Sequence, residues 1–203
     1  MSIHDSATPQ ARKAIPAGRA GIAWGLVGVT AFSFTVPLTR FVVINDGMSA
    51  LFAGTARTVI AAGMALVALS LTRQRVPSKK ESLSVCVVAI GAVIGFPLFT
   101  SFASLSTPAS HSAVVIAILP ATTAVVAAIR TNHYPPALFW IATALGAVSA
   151  IFFSVLHSGG SLTLQSGDLF LLAAVILCAL GYAEGGVVSK SLGAWQTISW
   201  GLI

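Results

Sequence analysis

Two long stretches of this chain contain no charged residue: everything between Glu81 and Arg130, and everything in residues 131–167. An uncharged apolar run of about 20 residues matches the hydrocarbon core of a bilayer, which is about 30 Å thick. The composition agrees. The 203 residues are 56% hydrophobic and 8% charged, with a mean hydropathy of +0.93, whereas a soluble domain carries about a quarter charged residues. Eleven basic and five acidic residues cannot coat a water-soluble globule of this size. Lipid offers no partner to a free backbone group, and barrel strands would alternate in polarity, so these apolar runs are helices. The fold class is all-α integral membrane.

Hydropathy and turn residues place the crossings at about residues 21–44, 51–72, 83–104, 111–129, 137–156 and 168–189. That makes about six transmembrane helices, and a seventh begins near Thr197. Residues 1–19 form a polar tail expected to be disordered. The span after it is too long for a signal peptide and lacks a clear cleavage site. Paired prolines in RTNHYPP stop one helix and start the next.

Basic residues set the orientation. With the N-terminus inside, Arg12, Lys13, Arg19, Arg73, Arg75, Lys79, Lys80, Arg130 and Lys190 all fall on the cytoplasmic side. The outer loops hold none, and Arg40 and Arg57 lie within spans near their outer ends. Trp24, Trp140, Trp195 and Trp200 fall at cytoplasmic helix ends, where amphipathic rings favour the interface. The chain is thus expected in a bacterial inner membrane with a cytoplasmic N-terminus. The formal net charge of +6 does not point to nucleic acid, because the cations sit in short tracts rather than on one face with interleaved aromatics.

The segment AFSFTVPLTR at 31–40 resembles ALGYAEGGVV at 179–188. Five spans separate the two, and an odd number reverses orientation. The order therefore reads as a cytoplasmic tail (residues 1–19), a five-helix repeat (20–157) and the opening of an inverted second copy (158–203). Inverted repeats are a transporter architecture with the substrate site at the repeat interface.

These patterns resemble the drug/metabolite transporter superfamily, EamA branch. The resemblance runs through WGLVGVTAFSFTVPLTRFVV, MSALFAGTARTVIAAGMAL with Arg57, HSAVVIAILPATTAVVAAI with Pro120, ALFWIATALGAVSAIFF with Trp140 and Gly146, and GDLFLLAAVILCALGYAEGGVVSK. It implies ten helices in two five-helix halves. The sequence departs from the family in carrying Arg130-Thr131-Asn132-His133 where a Gly-Glu-Arg turn is usual. It also reads as truncated after the start of helix seven. The implied protein partner is a second copy, or a chain supplying the missing helices.

Charged and unusual residues inside spans are the substrate or coupling candidates. Arg57 lies on the outer half of the second span; an ionisable group there either serves a site or snorkels to the headgroups. Arg40, nearer its helix end, is expected to snorkel. Glu184 is the acid furthest inside a span, near Tyr182. It would either be kept neutral by desolvation and release a proton as water enters, or make a structural hydrogen bond. Pro37, Pro97 and Pro120 each free a backbone carbonyl that either faces a cavity or only shapes a kink. The glycine pairs Gly21/Gly25, Gly91/Gly95 and Gly181/Gly185 each put two small residues on one helix face and are candidate helix-packing positions. Asp168 reads as a helix-start residue. Cys86 and Cys178 are expected to be reduced packing residues, and no metal cluster or cofactor motif is present.

The function expected is a secondary transporter moving a small metabolite or drug-like solute by alternating access; with no GxxxxGK[ST], an ion or solute gradient would drive it. Export is one direction this would serve. The alternatives are an inactive truncated fragment, or a small membrane scaffold or pore. An intramembrane enzyme is disfavoured, since a serine nucleophile needs a base at matching depth and the sixth span has no histidine.

Overall fold

The computed structural model describes residues 19–157 and 165–203. Most of the expected polar tail and of the loop before Asp168 lies outside these residues, and of Gly21 only its place in a helix is described. The described chain is helical, without strands. The helices are α1 (Arg19–Ser33), α2 (Thr35–Ile44), α3 (Ala50–Leu71), α4 (Lys79–Val88), α5 (Phe96–Ala103), α6 (Ala109–Ile116), α7 (Leu119–Thr131), α8 (Ala137–His157), α9 (Asp168–Leu192) and α10 (Ala194–Leu202). A π-helical turn, Ala89–Gly95, joins α4 to α5 without interruption.

Five stretches are long and apolar enough to cross a membrane: Ala23–Ile44, Ala50–Leu71, Lys79–Ala103, Ala109–Thr131 and Asp168–Leu192. The apolar part of α8, Ala137–Phe153, is a shorter sixth. The all-α membrane architecture read from the sequence is therefore observed. Large apolar side chains point outward along these helices, among them Val59, Ile60, Met64, Leu145 and Phe152, which suits acyl chains as the surrounding solvent.

Local sequence explains the helix ends. The hydroxyl of Ser49 accepts from the Phe52 N–H (3.2 Å) and caps α3. Glu81 takes the N–H of Ser78 at 2.9 Å and so caps α4. Asn132 adopts the left-handed conformation (φ 58°) that ends α7. Gly193 (φ 101°) allows the turn from α9 into α10, a backbone shape that side-chain-bearing residues rarely take.

The chain divides into two compact units, residues 1–35 and 36–203. The described part of the first is essentially α1. In the second, α9 is the central element and packs on α4, α5, α6, α7, α10 and the π turn. Its core joins Ala174, Val175, Cys178 and Ala179 to Phe96 and Leu119, and Phe170 stacks on Phe99 and Phe102 with centroids 6.2 and 5.8 Å away. Cys178 is buried there, whereas Cys86 lies exposed and does not pack as expected; both thiols are free.

Buried hydroxyls line the other side of α5 and the loop after it. Thr100, Ser101 and Ser104 return their hydrogens to carbonyls four residues back, Phe96, Pro97 and Thr100, at 2.7–2.8 Å. These three hydroxyls are thus satisfied within the helix, whereas the buried Thr107 Oγ1 in the following loop has no partner among the described residues.

Candidate functional site

Four polar clusters hold the second unit together. The first surrounds Arg57 on α3. Its guanidinium donates to Thr39 Oγ1 of α2 (3.2 Å), to the Pro97 carbonyl (2.8 Å) and to Thr100 Oγ1 (3.2 Å). Pro97 has no N–H, so the carbonyl of Val93, four residues before it, loses a helical partner. Thr58, next to Arg57, donates to that carbonyl at 3.2 Å. The helical turn around Pro97 thus presents its backbone oxygens to α3, and Arg57 reaches inward to them rather than out to the surface. Its Nε is buried without a partner among the described residues. Arg40 behaves similarly: it donates to the carbonyls of Ser104 (2.8 Å) and Thr107, capping the end of α5 instead of snorkelling.

The second cluster centres on Glu184 in α9. Arg130, in the last turn of α7, approaches its carboxylate with Nε at 2.8 Å and Nη2 at 3.1 Å. Ser84 of α4 donates to the same carboxylate at 2.8 Å. The Glu184 side chain is 14% exposed and that of Arg130 53%. Three helices therefore meet on one carboxylate. Sequence reasoning assigned Arg130 to orientation alone. The available signal was that Arg130 and Glu184 are isolated opposite charges near same-side ends of two spans.

A third cluster was not anticipated. His111 Nε2 lies 2.7 Å from Asp168 Oδ1, with both side chains largely buried. Asp168 also accepts the N–H of Gln165 at 2.9 Å. Asp168 does open its helix, as expected, and additionally ties α9 to the start of α6. Toward the opposite end of α9, Arg75 forms a two-pronged pair with Glu81 at 2.9 and 2.7 Å, and Ser191 donates to Glu81 at 2.7 Å.

Two grooves flank Tyr182. One, of about 480 Å³, is almost wholly apolar and includes Leu119, Pro120, Thr123, Phe139 and Tyr182. The other, of about 400 Å³, runs between α9 and α10 past Gly181, Gly185, Ser189 and Thr197. Tyr182 and Pro120 are therefore brought to one groove, with Tyr182 about half a turn of α9 before Glu184, while Arg57 stands apart with α2 and α5. No group of three or more metal-ligating side chains occurs among the described residues.

The glycines differ among themselves. A methyl group on Gly91 would collide with the Leu177 carbonyl, and one on Gly181 would sit 2.9 Å from the Ala92 nitrogen. At Gly95 it would lie 3.0 Å from Leu177, and at Gly185 3.4 Å from Val88. These four line the crossing of α9 with α4 and the π turn. Gly25 has open space around it.

A family model described as the EamA-like transporter family matches residues 19–155, well over half of the sequence. This chain belongs to the EamA-like transporter family. It is similar to the "uncharacterized transporter YdeK" of Bacillus subtilis (strain 168), with 41% identity over 179 residues, 88% of this chain and 61% of that protein. The chain thus spans about three fifths of the length of this curated relative. No solved structure matches. Within this EamA-like chain, the matched residues include Arg57, Pro120 and Arg130; Tyr182 and Glu184 lie beyond them.

Proposed function

We propose that this chain works as a secondary carrier for a small metabolite or drug-like solute, by alternating access in a bacterial inner membrane with its N-terminus cytoplasmic. Residues 20–157 form one five-helix repeat in this reading, and α9 opens its inverted counterpart. Tyr182 and Pro120 face the solute, Arg57 ties α3 to α2 and α5 elsewhere in the bundle, and Glu184 works the passage between states.

The observation that carries the reading is the contact of Arg130, Ser84 and Glu184. It links α4 and α7 of the first repeat to α9 of the second through one carboxylate. An ion pair is strong in a dry setting and weak in water. Opening the cytoplasmic side hydrates the pair and frees α9 to move; closing it restores the pair. Such a contact stores the difference between two states, as a rocking carrier needs.

Reconstitution in liposomes tests this. Uptake that saturates with solute concentration is expected, and flux rising without limit would instead mark a pore. Glu184→Gln and Arg130→Gln should each slow saturable uptake several-fold. In a pH series, Glu184→Gln should also flatten the pH dependence of uptake; an unchanged profile would remove Glu184 from coupling.

A further inference from the structure

The end of α3 carries a groove unlike those beside Tyr182. It encloses about 240 Å³ between α3 and α10. Its polarity is graded. Leu66 and Leu69 of α3 and Ile203 supply an apolar wall, while Arg73 and Gln74, just beyond the end of α3, supply a polar rim. Ser70 and Trp200 complete the lining, and the Trp200 indole N–H is buried with no acceptor among the described residues, which is rare for a donor of this kind.

Arg73 gives the rim its charge. The tract 73–80 holds Arg73, Arg75, Lys79 and Lys80. The carboxylate nearest in sequence, Glu81, is taken by Arg75 and by the hydroxyls of Ser78 and Ser191. Arg73 is exposed, and its guanidinium makes no hydrogen bond or ion pair among the described residues. Its backbone is fixed nonetheless: Arg73 adopts φ 48°, its N–H donates to the Ser70 carbonyl, and the Gln74 N–H donates to the Leu69 carbonyl, each at 3.2 Å. The free guanidinium is therefore mounted on a defined helix end above an apolar wall.

We infer that this groove seats one anionic phospholipid, with its phosphate against Arg73 and an acyl chain along Leu66, Leu69 and Ile203. The planar guanidinium matches phosphate geometry, and basic pockets between membrane helices suit anionic headgroups. A zwitterionic lipid brings the same acyl chains without the net charge, so preference between the two reads the contribution of Arg73. This inference does not depend on the carrier reading.

The test is native mass spectrometry of the full chain, purified in mild detergent and mixed with equal amounts of phosphatidylglycerol and phosphatidylcholine. Several-fold preferential retention of phosphatidylglycerol is expected. Arg73→Gln should bring the ratio close to one, and Trp200→Phe, which keeps an aromatic ring but removes the N–H, should lower it part-way. Lys190→Gln, an exposed cation on α9 outside the groove, should leave it unchanged. Equal retention by the unaltered chain would overturn the inference. So would an equal loss in Lys190→Gln and Arg73→Gln, which would mean bulk surface charge, or displacement of the lipid by inorganic phosphate alone, which would mean a free-anion site.

Discussion

Arg57 makes three hydrogen bonds inside the membrane-spanning region, and two of its acceptors come from the turn at Pro97. Hydrogen bonds to a charged group contribute about 1.5–3 kcal/mol. Arg57→Gln should therefore lower the thermal unfolding temperature in detergent, with a loss in that range. Arg57→Lys should recover only part of it, because one ammonium cannot span Thr39, Thr100 and the Pro97 carbonyl together. An unfolding temperature unchanged by both would mean that the side chain does not depend on these contacts. The depth of Arg57 was legible because a cation stands out in an apolar run. Its partners were not: they are backbone oxygens and hydroxyls that look neutral in sequence, and the proline that exposes them lies 40 residues away. The contact of His111 with Asp168 was hidden for a related reason. Each residue alone looks like an ordinary helix-start residue, and only the packing of α6 on α9 brings them together.

At the scale of elements, the π turn crosses α9 backbone against backbone. Gly91 and Gly181 face each other's helices so closely that a methyl group on either must move backbone. Gly91→Ala should cost about 1–3 kcal/mol, as over-packing does, read as earlier unfolding on heating. Gly25→Ala, with open space around it, should be neutral or slightly stabilising, since alanine favours helix. Equal effects at the two positions would contradict the crossing described. The sequence pattern marked all these glycines alike, because spacing records which residues share a face but not what the face meets. Helix positions were legible to within a few residues, since apolar length and turn chemistry are local. The π turn was not, because its residues AIGAVIG read like any other apolar helical run. Removing Pro97 tests the role of the Thr58 contact with the Val93 carbonyl: Thr58→Ala should destabilise by about 1 kcal/mol, and by less in a Pro97→Ala background, where that carbonyl regains a helical donor. Thermal unfolding of the two single variants and the double variant measures the difference.

For the whole molecule, the distribution of lysine and arginine predicts the sidedness. In a background with Cys86 and Cys178 replaced by serine and alanine, Asp46→Cys should react with a membrane-impermeant maleimide in intact cells. Lys79→Cys should react only after permeabilisation. The reverse pattern would invert the orientation and move the Glu184 contact to the outer face. The all-α membrane class was readable from charge-free length alone. The central place of α9 was not, because its hydropathy resembles that of its neighbours and only its contacts set it apart. That place has a consequence for how the protein is made. Arg130 leaves the ribosome 54 residues ahead of Glu184, a gap of roughly 3–11 s at ordinary synthesis rates. For that interval the nascent bundle must wait for its central helix with a lone cation at its edge, open to whatever insertion factor or lipid can shield it.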